Sequence, residues 1–510
     1  MFMKRITAII LIIMLITVPM LFVSCNNPDN GNTSEVKNDG NGNDNNSPVS
    51  DNLQDAPPEF IPVEGADYGG YKFRILGYDG ADKGLWQIMH ISEIIAEEEI
   101  GEPIHDAIYA RNREVEALYN IEVAVVQTTV YPEDFTPKFT KAVMAGDDVF
   151  DAAFLRGANL PAALSTKNMA YDLFTIPSLQ LSSSWWDQNS IKAMSIGGKI
   201  NAIIGDVNLY AAISPLAVYA NKKIMADNDV GDLYKVVKDG KWTWSLMHDI
   251  AKSVTKDLNG DGVIDKDDQI GLFMQYFHLQ SAINSAGEYI TPKNSDDIPE
   301  YAPNIDRIAG LAEQVVTFFK DKNSTIAAEQ ISGYSNQFYD FILPKFRDNQ
   351  ILFHINQLLF SFDLRSMDAD FAILPFPKYE ESQEKYGSIA ASWWSTYTVV
   401  PVTCDNVERT ANILDAMGYY SQKYVMPAYY DRTVTGKLLR DDEAAEMMDI
   451  ILKNRIFDLA ELYNWGNING TLNNISSSGK PETIVSQLEK IENQITRAIQ
   501  KTLDGLEIDY

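Results

Sequence analysis

Cysteine is almost missing from this sequence: Cys25 and Cys404 are the only two, so one disulfide at most can form. Histidine is scarce too. His90, His105, His248, His278 and His354 are scattered, and a zinc centre would need several of them to converge. No G-x-S-x-G, H-E-x-x-H or G-x-x-x-x-G-K motif occurs, which removes the serine-hydrolase elbow, the zincin helix and the phosphate-cradling loop. Basic residues are few: 42 Lys and Arg face 71 Asp and Glu, for a net charge of −29. That field repels polyanions and excludes nucleic acid as a partner. Acidic pairs such as Asp441 and Asp442 abound in so acidic a chain, so no glycosidase pair can be singled out. No internal repeat is visible. What remains is an ordinary globular composition, 45% apolar and 22% charged, over a length suited to two or three domains.

The one long hydrophobic run is at the start. Lys4 and Arg5 precede an unbroken apolar stretch from Ile6 to Val23 that ends at "LFVSC". This is the pattern of a signal peptide, residues 1–24. A retained membrane helix is the alternative, and Pro19 and the abrupt polar switch at Cys25 argue against it. "LFVSC" resembles a bacterial lipobox, with Phe22 as its departure, which implies lipidation of Cys25. An acylated cysteine with two or more chains is a stable anchor, and it leaves Cys404 without a disulfide partner. Residues 26–58 are rich in Asn, Asp, Gly and Ser and nearly free of apolar side chains. They read, within 25–67, as a flexible tether spanning about 30 Å.

The folded part is expected from about Tyr68. "YKFRILG", "IEVAVVQTT" and "VFDAAFL" read as strands alternating with helices such as "IHDAIYARNREVEALYN" and "NLPAALSTKNMAYDL", the pattern of a mostly parallel α/β sheet. "SPLAVYANKKIM" reads as a strand entering a helix. "WSLMHDIAKSVTK" places Leu246, Ile250 and Val254, with Met247 and Ala251, on one stripe. Ile484, Leu488, Ile491 and Ile495 repeat at helical spacing near the C-terminus.

"DLNGDGVIDKDDQ" fits a calcium loop. Its oxygens fall at Asp257, Asn259, Asp261, the Val263 carbonyl, Asp265 and Asp268, with Gly262 at the sharp turn. Asp268 stands where a longer Glu is usual, which shortens its reach. A helix enters the loop, but "QIGLFMQY" leaves it as a strand, so the paired-helix opening of a calcium sensor cannot occur. A dockerin would need a second loop. The reading is a structural Ca2+ staple.

The block "YANKKIMADNDVGDLYKVVKDGKWTWSLMHDIAKSVTKDLNGDGVIDKDDQIGL" resembles the central signature of family 1 bacterial extracellular solute-binding proteins. "GDDVFDAAFL", "FRDNQILFHIN", "DADFAILPFPK" and "TYTVVPVTCDNVERTANILDAMGYYSQ" resemble further segments of that family. The resemblance implies an α/β, two-lobed, periplasmic-binding-protein-like (type II) fold with hinge strands and a ligand cleft. It implies one lobe of 68–213 and 378–425, and another of 214–377 and 426–510. It implies a monomeric, non-enzymatic lipoprotein on the outer face of the cell membrane, feeding a small solute, most often a carbohydrate, to ABC permease transmembrane subunits. The alternatives are a surface glycan-binding or sensing protein uncoupled from transport, and a secreted carbohydrate-active enzyme.

Sugar recognition needs aromatic faces beside polar hydrogen-bonders. Two Trp pairs in Ser-led loops fit, Trp185 and Trp186 (followed by Asp187) and Trp393 and Trp394. Tyr429, Tyr430 and Trp465 lie on late segments that face the cleft in relatives. Asp206, before the first expected hinge crossing, completes the candidate ligand set.

Overall fold

The computed structural model describes residues 60–78, 91–129, 132–164, 166–392, 394–434 and 443–508. Cys25, the segment 26–58, Trp393, Asp441 and Asp442 lie outside them. No helix of the described residues is long and apolar enough to cross a membrane. The described strands, in chain order, begin with β1 (Tyr71–Tyr78), β2 (Ile121–Thr128), β3 (Ala152–Arg156) and β4 (Leu216–Asn221). They continue with β5 (Ile270–Met274), β6 (Thr325–Ala327), β7 (Ile351–Gln357) and β8 (Phe371–Leu374). The last are β9 (Ser388–Ile389), β10 (Thr396–Val399) and β11 (Arg455–Ile456).

Two main sheets result, one per lobe. The first has the order β10-β3-β1-β2, with β1 parallel to β2 and β3, and β10 antiparallel to β3. The second has the order β6-β5-β7-β4-β8, in which β5, β6 and β7 run parallel and β4 is antiparallel to both neighbours. Every residue of β3, β4, β5 and β8 is buried, as strands covered on both faces require.

Local chemistry sets the element ends. Glu102 accepts from His105 N at 2.7 Å and Pro103 opens the helix Pro103–Tyr119, which Asn120 closes in the left-handed region. Asn221 caps Lys222–Asp227 through Lys223 N and Ile224 N, which turns the expected strand-to-helix step into structure. Thr243 caps Trp244–Val254 in the same way. The helix expected over "NLPAALSTKNMAYDL" stops after Leu160–Leu164. Asn168 at φ 61° sits in the left-handed region, which a helix interior does not admit.

Order starts earlier than Tyr68. Phe60, an aromatic residue beside a polar stretch, stacks on Tyr419 with centroids 4.8 Å apart and meets Trp185 edge-on at 5.7 Å. The chain crosses between the sheets at 213–216 and again between β8 and β10. These crossings lie side by side: Ser214 Oγ and Ser395 Oγ share a hydrogen bond at 2.6 Å, and Pro215 bridges Ala390. β11 returns later to pair with β9. The helix Met426–Val434 packs on Pro103–Tyr119 beside the first sheet. It continues from Val407–Tyr420 through a π turn at Ser421–Val425.

Candidate functional site

A cavity of about 780 Å³ opens beside the crossings, at the carboxyl ends of β5, β6 and β7. That is where ligands bind in α/β sheets, and the volume is typical of ligand sites, about 300–1,000 Å³. The crossings supply Leu216, Ile389, Ala391 and Trp394. The segment after β5 adds Gln275, Phe277, Gln280 and Ser281, and the end of β7 adds His354, Asn356 and Gln357. From the C-terminal helices come Glu461, Asn469 and Asn473. The remaining wall is Tyr334–Phe338, which leads into a π turn at Phe338–Ile342, an element frequent at functional sites.

The charge of this lining is unusual for so acidic a chain. Among the described lining residues there is no Lys, Arg or Asp, and Glu461 is the one carboxyl. His354 is neutral: burial pushes it down to about 3, and its Nε2 bonds the Asn356 amide at 3.0 Å. Eight side-chain amides and several aromatic rings make up most of the rest. Trp394 is half-buried, and its other side is held by Arg156, at the end of β3, whose guanidinium carbon lies 4.7 Å from the ring centroid.

Of the expected ligand residues, Trp394 lines this cavity, and Trp393 lies outside the described residues. Trp185 and Trp186 are corrected to core: each is 1% exposed, and both indole N–H groups donate to Asp415 Oδ1, at 2.9 and 2.7 Å. Neighbours on a regular element would point apart, but this pair sits on a turn that ends in a bridge from Trp186 to Gly205. Two glycines make the room. A Cβ on Gly418 would stand 2.5 Å from Trp185 Cδ1, and one on Gly205 2.5 Å from Trp186 Cε3.

Asp187 caps Gln188–Met194 through Ser190 N at 2.7 Å and pairs with Arg455. Asp206 accepts from Gln422 Nε2 at 3.0 Å, and burial pushes its carboxyl up to about 7. Both serve structure, not this cavity. Tyr429 is fully buried, and Tyr430 meets it edge-on at 6.0 Å. Trp465 is 3% exposed, donates to Thr502 Oγ1 at 2.9 Å and stacks on Tyr463. Lining residues that the sequence does not single out include Tyr334, Asn336, Gln337, Phe338, Gln280 and Glu461. The aromatic–amide mixture "YSNQF" was their one local signal.

The acidic loop lies between Trp244–Val254 and β5, so a helix enters it and a strand leaves it. Lys256 and Gln269 exchange backbone hydrogen bonds at 3.1 Å across its base. Gly260 and Gly262 take φ of 76° and 82°. Asp257 accepts from Gly260 N at 2.6 Å and Gly262 N at 2.8 Å, and the buried Asp268 from Leu258 N at 2.8 Å and Asp265 N at 2.9 Å. The donor set is all oxygen, which suits a hard divalent cation. Three of its carboxylates do not bring one oxygen each within 4.8 Å of one another. Asp151, Cys404 and Asp405 do, but Arg74 pairs with Asp151 at 3.0 Å and Arg409 with both acids, so cations already hold that cluster. Cys404 is buried and exchanges a hydrogen bond with Thr410 Oγ1 at 3.2 Å.

No family model and no curated protein matches the sequence. Solved structures do. ABC substrate-binding protein Lmo0181 from Listeria monocytogenes, in complex with cycloalternan, superposes with a TM-score of 0.53 at 12% identity, covering 84% of this chain and 99% of its own. A cyclo/maltodextrin-binding protein complexed with maltotetraose gives 0.54 at 11% identity, covering 85% of this chain and 97% of its own. The chain therefore has the two-lobed α/β fold of ABC substrate-binding proteins, the type II periplasmic-binding-protein fold.

Proposed function

We propose that this protein is the substrate-binding lipoprotein of an ABC importer and captures a neutral mono- or oligosaccharide in the cavity beside the crossings. The observation that carries this is the lining: amides and aromatic faces, one carboxyl, and no Lys or Arg among the described residues. Amides donate and accept at once, which suits hydroxyls that do the same. A phosphorylated or carboxylated ligand would find no counter-charge there, and a polyamine only one. A glycosidase cleft needs two carboxyl groups about 5–9 Å apart flanking the sugar, and among the described lining residues Glu461 is the one carboxyl. The sugar-bound neighbours support the same reading. Calorimetry over a panel of neutral saccharides, maltotetraose and cycloalternan included, is expected to find a ligand. Binding confined to peptides, polyamines or anions would overturn the assignment.

Trp394→Ala is expected to weaken that ligand by about 1.5–3 kcal/mol, roughly ten- to a hundredfold. Melting should fall as well, because Trp394 packs against the core and Arg156, so affinity is compared on the folded variant. An unchanged dissociation constant would remove Trp394 from the site.

The anchor and the ion belong to the same proposal. Acylation of Cys25 would hold the receptor at the outer membrane face, beside its permease. In the acidic loop Asp257, Asn259, Asp261, the Val263 carbonyl, Asp265 and Asp268 would hold Ca2+, which supplies charge neutralisation and fixes the helix-to-strand junction. Extracellular loops of this kind bind at about 0.1–1 mM. Calcium at 100 times the dissociation constant is then expected to stabilise by about 2.7 kcal/mol. Asp257→Ala should lower the melting temperature and erase its calcium dependence while leaving saccharide affinity alone. Equal melting with chelator and with 10 mM calcium would exclude the staple.

A further inference from the structure

We propose that Glu461 is the specificity-determining acceptor of this cavity: its carboxylate takes hydrogen bonds from sugar hydroxyls, so that ligand capture near neutral pH expels a proton from the receptor. The proposal rests on the carbohydrate reading above and assigns the group that makes it selective.

The geometry comes first. Glu461 is the one carboxyl among the described lining residues. It sits in the first turn of Leu459–Tyr463, a helix capped by the buried Asp458 through Ala460 N at 3.1 Å. The Ser392 hydroxyl, on the crossing between β9 and β10, donates to Glu461 Oε1 at 2.6 Å. This bond fixes the carboxyl between the C-terminal helices and the joint of the two lobes. From the helix Ile468–Ser478, Asn469 donates to the Glu461 carbonyl at 2.8 Å, and its own buried Oδ1 has no partner. A carboxyl fixed by Ser392 therefore stands in the wall beside Asn469, ready to accept from O–H donors.

The groups facing Glu461 set its protonation. Asp458 lies on its own element, Ser392 on the crossing, and the Tyr397 phenol on β10 is within its field. No Lys or Arg lines the cavity among the described residues. Burial pushes Glu461 up to about 7; the Ser392 bond opposes that rise and the Asp458 carboxyl adds to it. Near neutral pH the side chain is therefore shared between acid and carboxylate. Hydroxyl donors favour the carboxylate, because charge-assisted hydrogen bonds are roughly twice as strong as neutral ones. In balance, protonated receptor plus sugar gives the carboxylate–sugar complex plus one proton, taken up by buffer. No bond to carbon forms or breaks.

The test is calorimetry on the mature receptor with maltotetraose, or with the tightest neutral saccharide of the panel. At pH 7 the apparent enthalpy should differ between phosphate and Tris, whose ionisation enthalpies differ. The dissociation constant should fall about tenfold from pH 6 to pH 8. Glu461→Gln keeps the shape and removes the charge; it should weaken binding about tenfold and erase both the pH and the buffer dependence. Proton release by the wild-type protein decides the matter even if the variant folds poorly. Saccharide binding that is independent of pH and buffer, or unchanged in Glu461→Gln, would overturn the role of Glu461 and leave the carbohydrate reading intact. Absence of any saccharide binding would instead sink that reading, and this inference with it.

Discussion

Replacing Asp415 by alanine is expected to cost about 3–5 kcal/mol of stability, the penalty for stranding buried donors of a charged acceptor. Asp415 is fully buried on the helix Val407–Tyr420. Its Oδ1 takes both indole N–H groups of Trp185 and Trp186, and its Oδ2 takes Gln180 N at 2.8 Å. One side chain thus closes three hydrogen bonds that join segments more than two hundred residues apart. Asp415→Asn retains one oxygen and should lose about half as much. Urea unfolding followed by tryptophan emission reads the effect directly, since two of the eight tryptophans report on the site. A midpoint within error of wild type would show that the indoles find other acceptors.

Stability is expected to peak near pH 5 and to fall by on the order of 5 kcal/mol towards pH 8. Burial pushes Glu93, Asp206, Asp363 and Glu461 up to about 7, and Asp415 and Asp458 up to about 6. In the unfolded chain such groups lose their protons near pH 4. Between about pH 4 and 7 the folded protein therefore holds more protons, and raising the pH favours unfolding. Histidines act in the opposite sense. Burial lowers His248 and His278 and pushes His354 to about 3, so the fold keeps them neutral while the unfolded chain protonates them below about 6.5. Six carboxyls outweigh three imidazoles from pH 5 upwards; below about 4 only the imidazoles still act. Urea midpoints at pH 4, 5, 6.5 and 8 test this, and a profile that rises from 5 to 8 would refute it. Saccharide affinity should move the other way over the same range, because its carboxyl must ionise to accept.

The lobes were legible and the cavity was not, for different physical reasons. Strand β4 and its following helix could be read from "LAVYANKKIM", because burial on both faces leaves an apolar run and Asn221 marks the cap. β5 starts at Ile270, where "QIGLFMQY" turns apolar. These signals are local. Trp185 and Trp186 mislead because their shared partner, Asp415, lies 230 and 229 residues downstream, and nothing near "SSWWDQN" announces it. Without that acceptor, two adjacent indoles read as surface. Likewise Glu461 gains its meaning from Ser392, 69 residues earlier, and the amides that line the cavity sit on loops with no period to betray them. Trp394, the aromatic candidate of "ASWWSTY", stands in the cavity wall.

The side-by-side crossings carry a mechanical consequence. A single linker would let one lobe swivel and twist freely against the other. Here the segments at Ser214 and Ser395 are pinned to each other, Pro215 is laced to Ala390, and β11 is sewn along β9. Such a joint behaves as a leaf spring, pliant about one axis and stiff about the other two. Rocking about that one axis is the motion such a joint leaves to the lobes. The ligand has few misaligned arrangements to quench, and less of its contact energy goes into ordering the receptor.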